Sequence, residues 1–165
     1  MYDYKRKKIR IEFGPNLVKL EPDEQFTVCY LSGGKPKRPG VIKTLHVSLG
    51  PDFFTDIFHV ETSDHARLEL QLSYNWYFKV DQKEDNEKIR IFNVKDFVGD
   101  ACSAFASKVR GEVACISFEQ FHKNSAFIIR KAIFGLKEDS QSTKPKINDD
   151  LVFANNDLIV TNVDI

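Results

Sequence analysis

Residues 66–80 read ARLELQLSYNWYFKV, an unbroken alternation that constrains the fold more than any other stretch of the chain. Leu68, Leu70, Leu72, Tyr74, Trp76, Phe78 and Val80 fall on one side, and Arg67, Glu69, Gln71, Ser73, Asn75, Tyr77 and Lys79 on the other. Side chains of a strand point alternately to opposite faces, so period two over this length predicts a strand with one buried and one wet face. It is long, since ordinary strands run about five or six residues. A strand of this kind needs something apolar to lie on its aromatic side.

The partners for that face follow it in the chain. In DFVGDACSAFASKVRG, Phe97, Val98, Ala101, Cys102, Phe105 and Val109 recur at helical spacing, Asp96 and Asp100 sit where the helix dipole favours acids, and Gly111 is expected to close the helix. In SFEQFHKNSAFIIRKAIFG, Ser117 and Gln120 fit a capping box, Phe118, Phe121, Ser125, Ile128, Ile129, Ala132 and Ile133 form one face, and Gly135 ends it. Between the long strand and the first helix, the polar run DQKEDNEK reads as a turn or loop. After the second, KEDSQSTKPKINDD (137–150) reads as a mobile loop, and Leu158–Ile165 returns to strand character.

The first fifty residues carry short strand signals broken by turns: KIRIEF before Gly14-Pro15, Leu17–Leu20 before Glu21-Pro22, Phe26–Leu31 before SGGKPKRPG, and Val41–Leu49 before Gly50-Pro51. Phe54, Ile57, Phe58 and Val60 then lead into the long strand. Strands followed by helices without regular alternation predict an α+β architecture, with helices covering one face of an antiparallel sheet. Apolar residues make up 42% of the 165, enough for a real core. The chain stops inside a strand pattern without a polar tail, and is expected to be a piece of a longer protein.

Charge and cysteine content exclude several classes of function. Lys+Arg and Asp+Glu balance at 24 each, so no global field draws the chain to nucleic acid or an anionic membrane. No run approaches the roughly 20 apolar residues of a membrane span, and MYDYKRKKIR lacks the apolar core of a signal peptide, so a soluble, cytoplasmic protein is expected. Cys29, Cys102 and Cys115 are odd in number and show no CxxC spacing, which points to reduced thiols rather than a disulfide framework or zinc site.

No constellation for chemistry emerges. Lys35 lies in SGGKPKRPG, but the GxxxxGK[ST] order is absent and the prolines remove amide donors, so the stretch reads as a basic surface loop. GxSxG, HExxH and GxGxxG do not occur. Cys115 and His122 could act as nucleophile and base only if the fold joined them; His122, beside Phe121, reads as a core-edge or solvent residue. His46, His59 and His65 lack ligand spacing. Asp81, Glu84, Asp85 and Glu87 read as a solvated charged loop. Lys5–Lys8 with Arg10, and Lys35–Arg38, could touch RNA phosphates, but no aromatic RNA-binding motif accompanies them, and no direct nucleic-acid binding is expected. No catalytic, cofactor-binding or metal-binding residue is assigned, and no enzyme activity is expected.

The strings YDYKRKKIRIEFGPNLVKLEPDEQFTV, LSGGKPKRP, LGPDFFTD, ETSDHARLELQLSYNW, DFVGDACSAFASKVRG and FHKNSAFIIRKAIFG resemble the major vault protein family over nearly the whole chain. The resemblance implies a last β repeat domain at about 1–50 and a shoulder domain at about 51–165, the shoulder having a stomatin-like (band 7, SPFH) fold. It also implies a structural role: many copies packed side by side as the shell of a cytoplasmic ribonucleoprotein particle, with vault RNA and vault-associated proteins as partners of the particle, and lipid rafts as a possible partner of the shoulder. A stomatin-like lipid-associated scaffold is the alternative it suggests. The loop 137–150 departs from the family, and the family's long cap helix would follow Ile165. One such fragment alone is expected to be a monomer or weak oligomer.

Overall fold

A computed structural model describes residues 1–80, 85–137 and 146–165; the side chains of residues 85–87 also lie outside the description. Asp81, Glu84 and most of the expected loop 137–150 therefore fall outside it.

The alternating stretch forms β7 (Arg67–Phe78), paired antiparallel with β6 (Asp52–Glu61) from Asp52↔Trp76 to Glu61↔Arg67. On its other side β7 pairs with β9 (Leu158–Asp164), which carries the short β8 (Leu151–Phe153), giving the antiparallel order β6-β7-β9-β8. Leu70, Leu72, Tyr74, Trp76 and Phe78 are buried on one face, as the alternation predicts. That face meets α2 (Phe97–Val113): Phe105 lies 4.5 Å from Tyr74 between ring centroids, and Phe97 packs edge-on against Trp76 at 5.1 Å and Phe78 at 5.0 Å. α3 (Phe118–Phe134) packs along α2 and adds Phe121, Ile129 and Ile133 to the same core. The architecture is α+β, with antiparallel sheets and helices.

Helix ends follow their capping chemistry with two corrections. Ser117 and Gln120 make both bonds of the capping box, and Gly135, at φ 76°, caps the other end of α3. Gly111, however, lies inside α2, which runs on to Val113 and caps at Ala114. Val113 is fully buried, so continuing the helix secures one more core contact than stopping at the glycine. Phe118, expected on the inner face of α3, is 42% exposed and stacks on His122 at 5.8 Å. The stretch expected as a loop after β7 includes a short helix, α1 (Asp85–Arg90), followed by a 3-10 turn.

The first fifty residues depart most from expectation. KIRIEF forms only the two-residue strand β2 (Lys8–Ile9), beside β1 (Tyr2–Asp3) and β3 (Glu24–Gln25), and Leu17–Leu20 forms no strand. A side chain replaces the ladder: Arg10 donates to Glu24 at 2.7 and 2.6 Å, to Glu12 at 3.0 Å and to the Lys19 carbonyl at 2.8 Å. SGGKPKRPG does not stop the strands but forms the tip between β4 (Cys29–Gly33) and β5 (Arg38–Thr44). These two strands form a sheet of their own, so Pro39 sits on an open edge where a missing amide costs no ladder bond.

Candidate assembly surfaces

The β4–β5 hairpin is clamped onto the rest of the chain by two carboxylates, Asp96, half-buried, and Asp56, buried. Asp96, the N-cap of α2, accepts from the Ser32 amide at 2.9 Å and the Ser32 hydroxyl at 2.6 Å, and from the Gly99 amide at 3.1 Å. Asp56, on the inward side of β6 and only 6% exposed, accepts from the Lys37 amide at 2.9 Å and the Ile57 amide at 2.8 Å. Each carboxylate thus satisfies donors of the hairpin and of its own element together, which offsets its desolvation. Where the chain crosses between the two parts, the Leu49 carbonyl accepts from Phe78 at 2.8 Å, and Gly50 lies so close to β7 that a Cβ would stand 2.7 Å from the Trp76 carbonyl. At φ 79°, Gly50 also holds a backbone conformation that other residues adopt only under strain.

On both flanks of the four-stranded sheet, side chains of the chain itself occupy some of the outward backbone groups. Along β6, the Phe53 and Ile57 amides donate to Asp52 and Asp56, and the His59 carbonyl accepts from Arg110 of α2 at 2.9 Å. On β9, β8 pairs only as far as Val160; beyond it Arg130 of α3 donates to the Val163 carbonyl at 3.3 and 3.4 Å. Each polar group occupied in this way makes an edge a poorer template for an added strand.

The two basic clusters differ in their surroundings. The N-terminal one is partly neutralised locally: Lys5 pairs with Asp23 at 3.9 Å, Arg6 with Glu21 at 2.8 Å, and Arg10 with Glu24 and Glu12, while Lys7 and Lys8 have no carboxylate partner among the described residues. At the hairpin tip, Lys35 and Arg38 are exposed with no carboxylate partner among the described residues, and the Lys37 amine reaches only the Gly34 carbonyl at 3.2 Å. The tip overhangs an open groove of about 720 Å³ lined by Asp56, His59, Glu69, Ser103 and Arg110 among others.

The residues weighed for chemistry are dispersed. Cys115 donates to the Gly111 carbonyl and His122 stacks on Phe118, with no contact between the two. His46 lies beside Thr44, His59 beside Glu69 at 3.8 Å, and His65 beside Glu61 at 2.9 Å. Cys102 is buried in the core, where burial pushes its thiol up to about 12. No group of three or more metal-ligating side chains occurs among the described residues. No helix among them is long and apolar enough to cross a membrane. The clamp and the arginine contacts at the sheet edges carried no local sequence signal, because Ser32–Asp96 and His59–Arg110 are separated by 64 and 51 residues.

Comparison with known proteins divides the chain near Gly50. Residues 1–49 match the Major Vault Protein repeat domain, and residues 50–165 match the shoulder domain. The chain is 57% identical to the major vault protein of Strongylocentrotus purpuratus, 56% to major vault protein alpha of Dictyostelium discoideum and 53% to the major vault protein of Homo sapiens. Each alignment covers 100% of the chain and 19% of the relative, so the chain spans about one fifth of the length of these proteins.

Proposed function

The chain belongs to the major vault protein family, and from that premise we propose that it is a structural segment of a vault shell, acting by side-by-side packing of many copies and not by catalysis. Residues 1–50 serve as a repeat domain and 51–165 as a shoulder. The observation that carries this reading is the clamp between them. A shell needs a fixed angle between successive domains, and the part-buried hydrogen bonds that Asp96 and Asp56 accept from Ser32 and Lys37, with Gly50 pressed against β7, hold that angle far more tightly than a free linker would. The arginine-occupied carbonyls on β6 and β9 favour a second requirement of an ordered wall, because edges partly occupied in this way disfavour open-ended strand pairing and leave copies to meet through side chains.

For the shoulder we also infer a stomatin-like (band 7, SPFH) arrangement, supported by its four-stranded antiparallel sheet with two helices on one face. The cytoplasm is the compartment this reading implies, with vault RNA and other vault proteins as partners of the whole particle.

The test is a chimera in which residues 1–165 replace the matching segment of Dictyostelium major vault protein alpha, viewed by negative-stain electron microscopy. Closed shells are expected. A chimera that folds, by circular dichroism, yet forms no shells contradicts the proposal.

A further inference from the structure

We propose that the tip of the β4–β5 hairpin is the contact by which one copy engages the next: Lys35 and Arg38 of one chain pair with Asp150 and Asp164 on the opposite sheet edge of its neighbour. The inference rests on the reading of the chain as a shell segment and names the surface that segment uses.

Three observations carry it. The first is topology. The order β6-β7-β9-β8 puts β6 and β8 at opposite edges of the sheet, and the Lys37–Asp56 bond fixes the hairpin tip beside β6. Asp150 immediately precedes β8 and Asp164 ends β9, so the tip and the two carboxylates lie on opposite flanks. The same surface cannot be used on both partners, and the contact is head-to-tail, the kind that generates rings.

The second is charge left unpaired inside the chain. Lys5, Arg6 and Arg10 of the N-terminal cluster have carboxylate partners within the chain, whereas Lys35 and Arg38, the exposed cations of the tip, have none among the described residues. On the far edge, Asp149 pairs with Lys137 and Asp157 with Arg90, whereas Asp150 has no ionic partner among the described residues and Asp164 accepts only from the Asn162 amide, at 2.9 Å. The chain is neutral overall, yet each flank keeps exposed charges of one sign with no ionic partner among the described residues, and the two signs are complementary.

The third is height along the strands. Asp164 stands opposite Ser73, and Ser73 opposite Thr55, one residue from the Asp56 that holds the tip. Leu151, next to Asp150, stands level with Val160, then Trp76, then Asp52. The tip and both carboxylates thus fall within about four residues along the strand direction, about 14 Å at the rise of a strand. Placing a second copy beside the first by a sideways step brings opposite charges to the same level. The groove under the tip gives the neighbour's edge room to enter. Exposed ion pairs are individually weak and screened by salt, so the contact holds through repetition around a ring.

Two charge-reversal variants of the 165-residue chain test it: Lys35→Glu/Arg38→Glu and Asp150→Lys/Asp164→Lys. Each is studied alone and mixed, by sedimentation velocity up to near-millimolar concentration at about 50 and about 500 mM salt, with zero-length carbodiimide cross-linking of ¹⁴N- and ¹⁵N-labelled chains. The parent is expected to self-associate weakly at low salt, with cross-links from Lys35 to Asp150 or Asp164 between differently labelled chains. Each variant alone loses the association, and the mixture regains it, because the reversed tip then meets a reversed edge; recovery also shows that both variants fold.

Self-association that neither reversal changes overturns this contact while leaving the shell reading intact. A parent that stays monomeric and uncross-linked under every condition overturns it as well, and the chimera then decides the shell reading separately. Poly-uridine and phosphatidylserine vesicles serve as competing probes: a tip variant that loses binding to either while associating like the parent assigns the tip to an anionic polymer or surface, and also overturns the proposal.

Discussion

The Ser32 hydroxyl donates to Asp96 at 2.6 Å while the same carboxylate caps α2 at the Gly99 amide, so one side chain both starts a helix and anchors a hairpin 64 residues away. Asp96→Ala removes an N-cap and strands two Ser32 donors, and should lower stability by about 2–4 kcal/mol in urea denaturation. Two glycines of α2 give a sharper contrast. A Cβ at Gly99 would stand 2.5 Å from the Ser32 hydroxyl and 2.6 Å from Asp96, whereas one at Gly111 meets nothing within 4 Å. Gly99→Ala should destabilise despite alanine's better helix propensity, and Gly111→Ala should stabilise by about 1 kcal/mol. Equal effects at the two sites would mean that the hairpin is not docked as described.

Trp76 and Tyr74 test the core. Trp76→Asp places an unpaired carboxylate between the sheet and α2 at a cost of several kcal/mol, comparable to a domain's whole stability. Loss of the cooperative melt by circular dichroism is expected; a melt within a few degrees of the parent would refute the register. Tyr74→Phe should act in the opposite direction, since the buried Tyr74 hydroxyl has no hydrogen-bond partner among the described residues and its removal leaves the ring packing on Phe105 intact. A gain of about 1 kcal/mol is expected.

Acid should loosen the first fifty residues and the turn between β6 and β7. The Arg10 guanidinium, hydrogen-bonded to Glu24, holds that carboxyl down at about 2, and Thr62 and the Phe118 amide hold Asp64 below the usual carboxylate range. In the unfolded chain these groups take up protons at ordinary carboxylate values, so the unfolded state binds more protons than the folded state across the interval below. The stabilisation is complete above that range and is lost as pH falls towards about 2. Melting temperature should fall from about pH 5 downwards, and less steeply in Glu24→Gln. An identical slope in that variant would remove the pair from the account.

The three thiols should differ in reactivity. Cys115 is exposed, Cys29 is half-buried with its thiol raised by burial, and Cys102 is buried. A chromogenic disulfide reagent at neutral pH should label Cys115 first, Cys29 more slowly and Cys102 only on unfolding. Rapid labelling of Cys102 in the native protein would contradict the packing of α2.

What the sequence disclosed follows from the range of each interaction. β7 was legible because its apolar residues from Leu70 on are buried while the residues between them are exposed or half-buried, and α3 because Ser117 and Gln120 stand one turn apart. Gly111 misled because a glycine within a helix and one ending it look alike until the burial of Val113 is known. The first fifty residues were overread as strands because their order comes from the Arg10 side chain, and alternation does not report an ion-pair hub. The clamp and the arginine contacts at the sheet edges link residues far apart in the chain, and no local period marks such a pair.

How copies meet is the central question, and a cryo-electron microscopy reconstruction of the chimeric particle answers it most directly. The arginine caps on His59 and Val163 predict that the sheets of adjacent copies stand edge to edge without a shared ladder, separated by more than the roughly 4.8 Å of paired strands and bridged by side chains. A continuous β-sheet running from β6 of one copy into its neighbour at that spacing would contradict the account.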